Sequence, residues 1–194
     1  MKKILSVIFA FAILFTFASC GTTSAPEETE APEETALQGV SAPVDILNTV
    51  WASYAEEEKF FAMGGSPVAP VDGAPGAFDV SDVETLAAQL VCTGDAVAMI
   101  DDAASIMHAM NANTFTGAAY HLSDSANKDA FVAAMKDSIS TNQWMCGFPE
   151  KLLIVSVADY VVVTFGAADI TETFKTKLLS AYEIAVVEIE EAIA

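Results

Sequence analysis

The sequence predicts an α+β domain: N-terminal helices followed by strand-helix-strand-strand-helix, with a small, mostly antiparallel sheet covered by helices. Three observations carry this. Apolar residues recur at three- and four-residue steps in several long segments. Two apolar β-branched runs, Leu152–Val157 and Tyr160–Phe165, flank the short turn Ala158-Asp159, which is the pattern of a hairpin. Stretches rich in Gly, Pro, Ser and Asp punctuate the periodic segments.

In order, Pro43 to Met63 reads as a helix, with Ile46, Leu47, Val50, Trp51, Tyr54 and Phe61 on one stripe. Pro43 suits the first turn and Gly64-Gly65 the stop. Ser66 to Phe78 carries three prolines and two glycines and reads as a loop. Ser81-Asp-Val-Glu84 has the form of a capping box, in which Ser81 caps a helix through Leu90. Asp95 to Met110 reads as a further helix, since Val97, Ile100, Ala104 and Met107 form a stripe. Phe115 to Leu122 is a strand candidate. Ala126 to Ser140 is an amphipathic helix with Phe131, Met135 and Ile139 inward. After the hairpin, Asp169-Ile-Thr-Glu172 opens a long helix with Phe174, Leu178, Ala181, Ala185 and Ile189 inward. Three strands with helices on one face complete the layer, the C-terminal helix covering the hairpin.

Ahead of the domain lies an export pattern. Lys2 and Lys3 precede Ile4–Phe17, an apolar run of 14 residues broken only by Ser6 and Thr16. A bilayer crossing needs about 20 helical residues, so residues 1–19 read as a signal peptide. Phe17-Ala-Ser-Cys20 resembles a bacterial lipoprotein lipobox, with Phe where that motif prefers Leu. The resemblance implies that Cys20 becomes the diacylglyceryl-modified N-terminus, anchoring the chain to a cell membrane on the extracytoplasmic face. Residues 20–39 hold the tandem repeat Ala25-Pro-Glu-Glu-Thr-Glu and Ala31-Pro-Glu-Glu-Thr-Ala. Such a composition cannot bury apolar surface and reads as a disordered acidic tether, reaching about 25 Å as a flexible chain. Residues 40–194 then form one globular domain, long enough to bury a core.

The charge balance excludes whole classes of ligand. All eight basic residues are Lys, and two of them lie in the signal. From Cys20 onward six lysines face 27 acidic residues, a formal charge of −21. Such a surface repels nucleic acid, and the absence of Arg removes the usual phosphate clamp, so neither nucleic acid nor nucleotide is expected as a partner. Besides the membrane, the partners that fit are an envelope protein or a cationic peptide. No cofactor motif occurs.

Few residues carry recognisable chemistry. Met107, His108 and Met110 have the soft-ligand chemistry of a copper site. Their helical spacing is that of core filler, which is the favoured reading. His121 stands three residues before Asp124, a base with an orienting carboxylate. Asp72, Asp79, Asp82 and Glu84 flank a Gly-rich loop without calcium-loop spacing, so calcium there would be adventitious. Cys92 and Cys146 are compatible with an exported disulfide or with two buried free thiols.

Gly117-Ala-Ala-Tyr-His-Leu122, Trp144, Pro149-Glu150, Leu152-Leu-Ile-Val155 and Asp159-Tyr-Val-Val-Val163 together resemble a small domain of clostridial-type lipoproteins. That domain has no assigned activity, so the resemblance implies a fold and a location only. The leading expectation is a lipid-anchored lipoprotein with a non-catalytic binding or scaffolding domain. The alternatives are a metal-handling envelope protein using Met107, His108 and Met110, and an envelope hydrolase at His121 and Asp124.

Overall fold

A computed structural model of the chain describes residues 40–193, organised on one eight-stranded antiparallel sheet. The segments expected to be a signal peptide (1–19) and a lipidated, tethering stretch (20–39, with Cys20) lie outside the described residues. The strands are β1 (Ala62–Gly64), β2 (Val71–Asp72), β3 (Gly76–Phe78), β4 (Ile100–His108), β5 (Phe115–Leu122), β6 (Lys151–Val157), β7 (Tyr160–Gly166) and β8 (Val186–Ala192). The helices are α1 (Pro43–Ala52), α2 (Val83–Leu90), α3 (Lys128–Thr141) and α4 (Ala168–Ala181). The strands lie side by side as β2-β1-β4-β5-β7-β6-β8, and β3 shares with β1 the outer edge of β4.

The middle strands are buried on both faces, which decides how the helices are arranged. On one face Tyr120, Leu152, Ile154, Val161, Val163 and Phe165 meet Leu86 and Leu90 of α2 and Phe131, Met135 and Ile139 of α3. On the other, Ala119, Leu153, Val155 and Val162 meet Ile46, Leu47 and Val50 of α1 and Phe174 and Leu178 of α4. The α+β class holds, but helices cover both faces rather than one. The reason is visible in the strands: β6 and β7 are apolar without alternation, so each face needs its own cover.

β5, α3 and the β6–β7 hairpin fall where periodicity places them. The hairpin closes through Ala158, whose φ of 54° is left-handed, where the favoured turn sequence would place Asn or Gly. Two predicted helices turn out to be strands in part. Residues 95–110 form a 3-10 turn, Gly94–Met99, followed by β4. Ala103, Ala104, Ser105 and Ile106 are buried in succession because β4 is paired on both edges and packed on both faces. When consecutive positions are buried, apolar residues occur at helical spacings as well as at alternate ones, so the period misleads. Likewise the C-terminal helix ends at Ala181, and Val186–Ala192 pairs with β6 as an edge strand. Ala185 and Ile189 still pack inward, on opposite faces of the sheet.

Four further readings are corrected. α1 stops at Ala52, with the Ser53 N–H returning to the Val50 carbonyl, and the remaining residues to Met63 turn towards β1. The cap of α2 is Asp82, whose Oδ1 accepts the Thr85 N–H at 3.0 Å; the Ser81 hydroxyl instead donates to Asp79 at 2.6 Å. α4 starts without a side-chain cap at its own N-cap residue; Glu150 accepts the Ala168 N–H at 2.9 Å, and Glu172 turns to Lys151 and Lys175. The predicted loop 66–78 contains β2 and β3.

Candidate functional site

Past α1 the chain runs alongside α4, and a groove separates the two. Its near wall is aromatic. The Trp51 and Tyr54 ring centroids lie 5.1 Å apart, those of Trp51 and Phe60 5.0 Å apart, and Phe60 continues through Phe115 to Phe174 in the core. Edge and tilted contacts of this kind fix ring positions beyond simple burial. The Trp51 indole N–H donates to the Gly73 carbonyl at 2.9 Å, tying this wall to the β2–β3 loop. The far wall is the first half of α4. A cavity of about 270 Å³ lies between, lined by Tyr54, Glu58, Lys59, Phe60, Asp169, Ile170 and Thr173. A shallower region of about 520 Å³ shares Glu58, Asp169 and Thr173 and extends past Glu172, Thr176 and Lys177.

The polar groups of the groove fall into two sets. In one, the Lys177 ammonium is held 2.7 Å from Glu58 and 3.1 Å from the Ser53 carbonyl, and lies 5.5 Å from the Tyr54 ring centroid. Hydrogen bonds from Lys177 and from the Ala55 N–H hold Glu58 below the usual carboxylate range. In the other, Asp169 accepts only the N–H of Ile170, at 2.8 Å, and has no ion pair among the described residues. Tyr54 is 5% exposed, yet its hydroxyl hydrogen-bonds no group. Burial, and then the Glu58 carboxylate, push this phenol well above its ordinary range, so it stays protonated and can both donate and accept.

The sequence candidates are dispersed. His121 does not meet Asp124, whose carboxylate accepts the Ala126 N–H at 2.9 Å. It lies between Asp101 and Asp159, with its ring 5.0 Å from that of Tyr160. Both ring nitrogens face carboxylates, and among the described residues no serine, threonine or cysteine hydrogen-bonds to it. A base needs a free nitrogen within reach of the proton it takes, and neither nitrogen is free.

The Met107, His108 and Met110 set is split by the strand it occupies. Met107 packs beneath the α2–α3 layer, while His108 points to the other face and stacks on Phe60 at 5.9 Å. The His108 Nδ1 accepts the Met110 N–H at 3.3 Å, and the Met110 side chain is exposed. Neighbours on a strand face opposite ways, whereas a helix would have brought residues 107 and 110 together. Asp79 and Asp82 hydrogen-bond their own chain segments. Among the described residues no group of three or more His, Cys, Asp or Glu side chains converges as metal ligands would. Cys92 is buried in the α2–α3 layer, Cys146 is exposed on the link to β6, and both are free thiols rather than a bridge.

Sequence reading misses the groove. Tyr54 stands out only as a stripe residue of α1, and Asp169 only as the start of a helix. They lie 115 positions apart, and no local pattern joins them. No helix among the described residues is long and apolar enough to cross a membrane. The chain matches no family model, no curated protein and no solved structure.

Proposed function

We propose that this chain is a lipid-anchored lipoprotein, held through Cys20 on the extracytoplasmic face of a cell membrane. Its domain acts by binding or scaffolding rather than catalysis, and the α4 groove is its binding site. The observation that carries the binding role is the groove itself, a cavity of about 270 Å³ in which Tyr54 and Phe60 face Asp169, Ile170 and Thr173 of α4. The anchoring role rests on Phe17-Ala-Ser-Cys20, the tether behind it and the resemblance to clostridial-type lipoproteins. The partners that fit are an envelope protein or a cationic peptide, and the acidic surface disfavours nucleic acid and nucleotides.

The test of anchoring is intact mass and detergent partitioning of the protein from membranes, for wild type and Cys20→Ala. The expected result is a mature chain beginning at Cys20 with a diacylglyceryl group, partitioning with detergent, and loss of both in the variant. An unmodified mature chain in the medium would overturn the anchor.

A further inference from the structure

We propose that one end of the sheet is a second docking surface, which takes a basic segment of a protein partner by its apolar side chains. It rests on the reading of the domain as a binding module and places a contact apart from the α4 groove.

Four large apolar side chains stand in solvent at this end. Phe61 precedes β1 and is 67% exposed; Met110 follows β4, and Met145 and Phe148 lie on the link to β6, each 77% exposed. The Phe61 carbonyl accepts the Ala109 N–H at 2.8 Å, which joins the first two segments. Asn111 and Asn113, between β4 and β5, bring in the third. The Asn113 side-chain amide donates to the Met145 carbonyl at 2.7 Å and to the Gly147 carbonyl at 2.9 Å, and that of Asn111 donates to the Cys146 carbonyl at 3.0 Å. Three successive carbonyls of an apolar loop are thus paired within the protein. A partner can cover this loop without stranding them, which is the usual cost of desolvating irregular backbone.

The four side chains together expose roughly 500 Å². Apolar area of this size gathered at one place often marks an interaction site. It falls short of the ~800 Å² per partner that a stable dimer buries, and it suits a few anchor side chains of a short segment.

Charge identifies the partner. Asp72 lies on β2 opposite Met63, and Glu150 stands two residues after Phe148; both are exposed, and neither has an ion pair among the described residues. Lys59 and Lys151, the lysines closest to them in sequence, are paired with Glu56 and with Glu172 and Glu190. The rim is therefore negative, on a strongly acidic protein. A second copy and an anionic bilayer would both be repelled, whereas a basic segment would be steered in.

Direction disfavours an electroneutral bilayer. α1 begins near the β6–β7 turn, at the far end of the sheet, where Asp45 is among the carboxylates that, after burial, raise the Tyr160 phenol. It runs to Trp51, whose indole bonds the Gly73 carbonyl, and the Gly73 N–H bonds the carbonyl of Ala62, next to Phe61. The chain enters the domain opposite the docking end, so an anchor ahead of α1 turns that end away from its membrane.

The probes are a short leucine–lysine peptide, a serine–lysine peptide of equal charge and a leucine–glutamate peptide. The full mature chain, labelled with ¹⁵N and held in phosphatidylcholine nanodiscs, is titrated with each, and the amide shifts of residues 110–114 and 145–148 are read. Saturable shifts there with leucine–lysine, binding of serine–lysine weaker by at least about tenfold, and no binding of leucine–glutamate are expected. Met145→Ser and Phe148→Ser remove exposed side chains and so keep the fold; each should weaken binding about tenfold, the scale of one interface anchor. Val68→Ser, also exposed but in the β1–β2 loop, should change nothing. Equal binding of the two lysine peptides would show charge alone at work and overturn the proposal. Shifts confined to residues 169–173 would move the peptide to the α4 groove, sinking this surface while the binding role stands. No shift with any peptide sinks it as well. Broadening of the same amides by spin-labelled phosphatidylcholine before peptide is added would assign this end to the bilayer, and concentration-dependent shifts of the chain alone would assign it to a second copy; either overturns the proposal. A chain that proves unanchored is measured free in solution with the same probes, so failure of the anchor leaves this test intact.

Discussion

The Nδ1 atom of His121 on β5 lies 2.5 Å from a carboxylate oxygen of Asp101, a residue the β4–β5 ladder does not place directly opposite it. The residue opposite is Asp102. A register shift between Ile100 and Asp102 leaves Asp101 as the extra residue, and such a bulge re-aims its side chain towards the histidine. The second ring nitrogen, Nε2, lies 3.2 Å from Asp159 in the β6–β7 turn.

A neutral imidazole has one N–H and cannot donate to two carboxylates, so this arrangement stabilises the doubly protonated form. Partial desolvation opposes the charge, but hydrogen bonds with Asp101 and then Asp159 outweigh it, and the folded-state pKa is raised above 6.5. A raised histidine pKa gives stability that is fully present below the unfolded value and is lost as pH rises through the folded value. The denaturation midpoint is therefore expected to fall as pH rises from 6.5 to 8.5, a window in which surface carboxylates stay ionised. His121→Gln should flatten that slope. Equal slopes for the two proteins would show that the imidazolium contributes nothing to the fold.

The two thiols of the domain should react at very different rates. Cys146 is exposed, whereas burial pushes the Cys92 thiol up to about 12. That leaves Cys92 with about a thousandfold less thiolate than an ordinary cysteine, besides closing off access. In the full chain carrying Cys20→Ala, a thiol reagent at pH 8 should give one rapid equivalent in native protein. Two equivalents should appear in denaturant without any reductant. A single slow equivalent, or none before reduction, would contradict the free-thiol arrangement.

Two glycines of the β1–β3 segment should respond differently to alanine. A Cβ at Gly64 would lie 2.4 Å from the Ala74 carbonyl oxygen and from the Gly76 nitrogen, and 2.6 Å from the Ser105 oxygen. These are backbone atoms of the loop and of the paired strands and cannot give way alone. Gly64→Ala is expected to cost at least about 3 kcal/mol, or to detach β1 and β3 from β4. Gly73 has a φ of +72° but open space around it. Gly73→Ala should cost only about 1–2 kcal/mol, the penalty of a left-handed alanine. Denaturant midpoints of the two variants compare the effects directly, and a Gly64→Ala protein as stable as Gly73→Ala would refute the close approach.

The parts of this fold legible in the sequence are those governed by neighbours along the chain. The α3 stripe of Phe131, Met135 and Ile139 requires only helical periodicity, and the β6–β7 hairpin only two β-branched runs and a short turn. The acidic surface and the lipobox pattern are likewise local or compositional. β4 and β8 are legible only through their partners. Ala103 to Ile106 form a strand because β3 and β5 flank them, and Val186–Ala192 forms one because it lies on β6 instead of prolonging α4. In β8 an extra residue at Glu188 directs that carboxylate to Ser156, 2.6 Å away, and to Lys128, 3.0 Å away.

The candidate sites divide in the same way. Sequence proximity put His121 with Asp124 and grouped Met107, His108 and Met110; the first grouping fails because Asp124 lies past the end of β5 and caps the turn that follows, the second because strand pleating turns Met107 and His108 apart. The histidine's true partners come from strand pairing, 20 and 38 residues away. Tyr54 and Asp169 come together only because α1 and α4 cover the same face of the sheet. By itself the sequence determined the α+β class, the strongly acidic surface and the local elements, since each depends on residue identity and short-range periodicity. Only the tertiary structure decided which carboxylates remain without an ion pair and which polar groups, Tyr54 and Tyr120 among them, are buried without a partner. Both are properties of long-range packing, set when distant segments exclude water together.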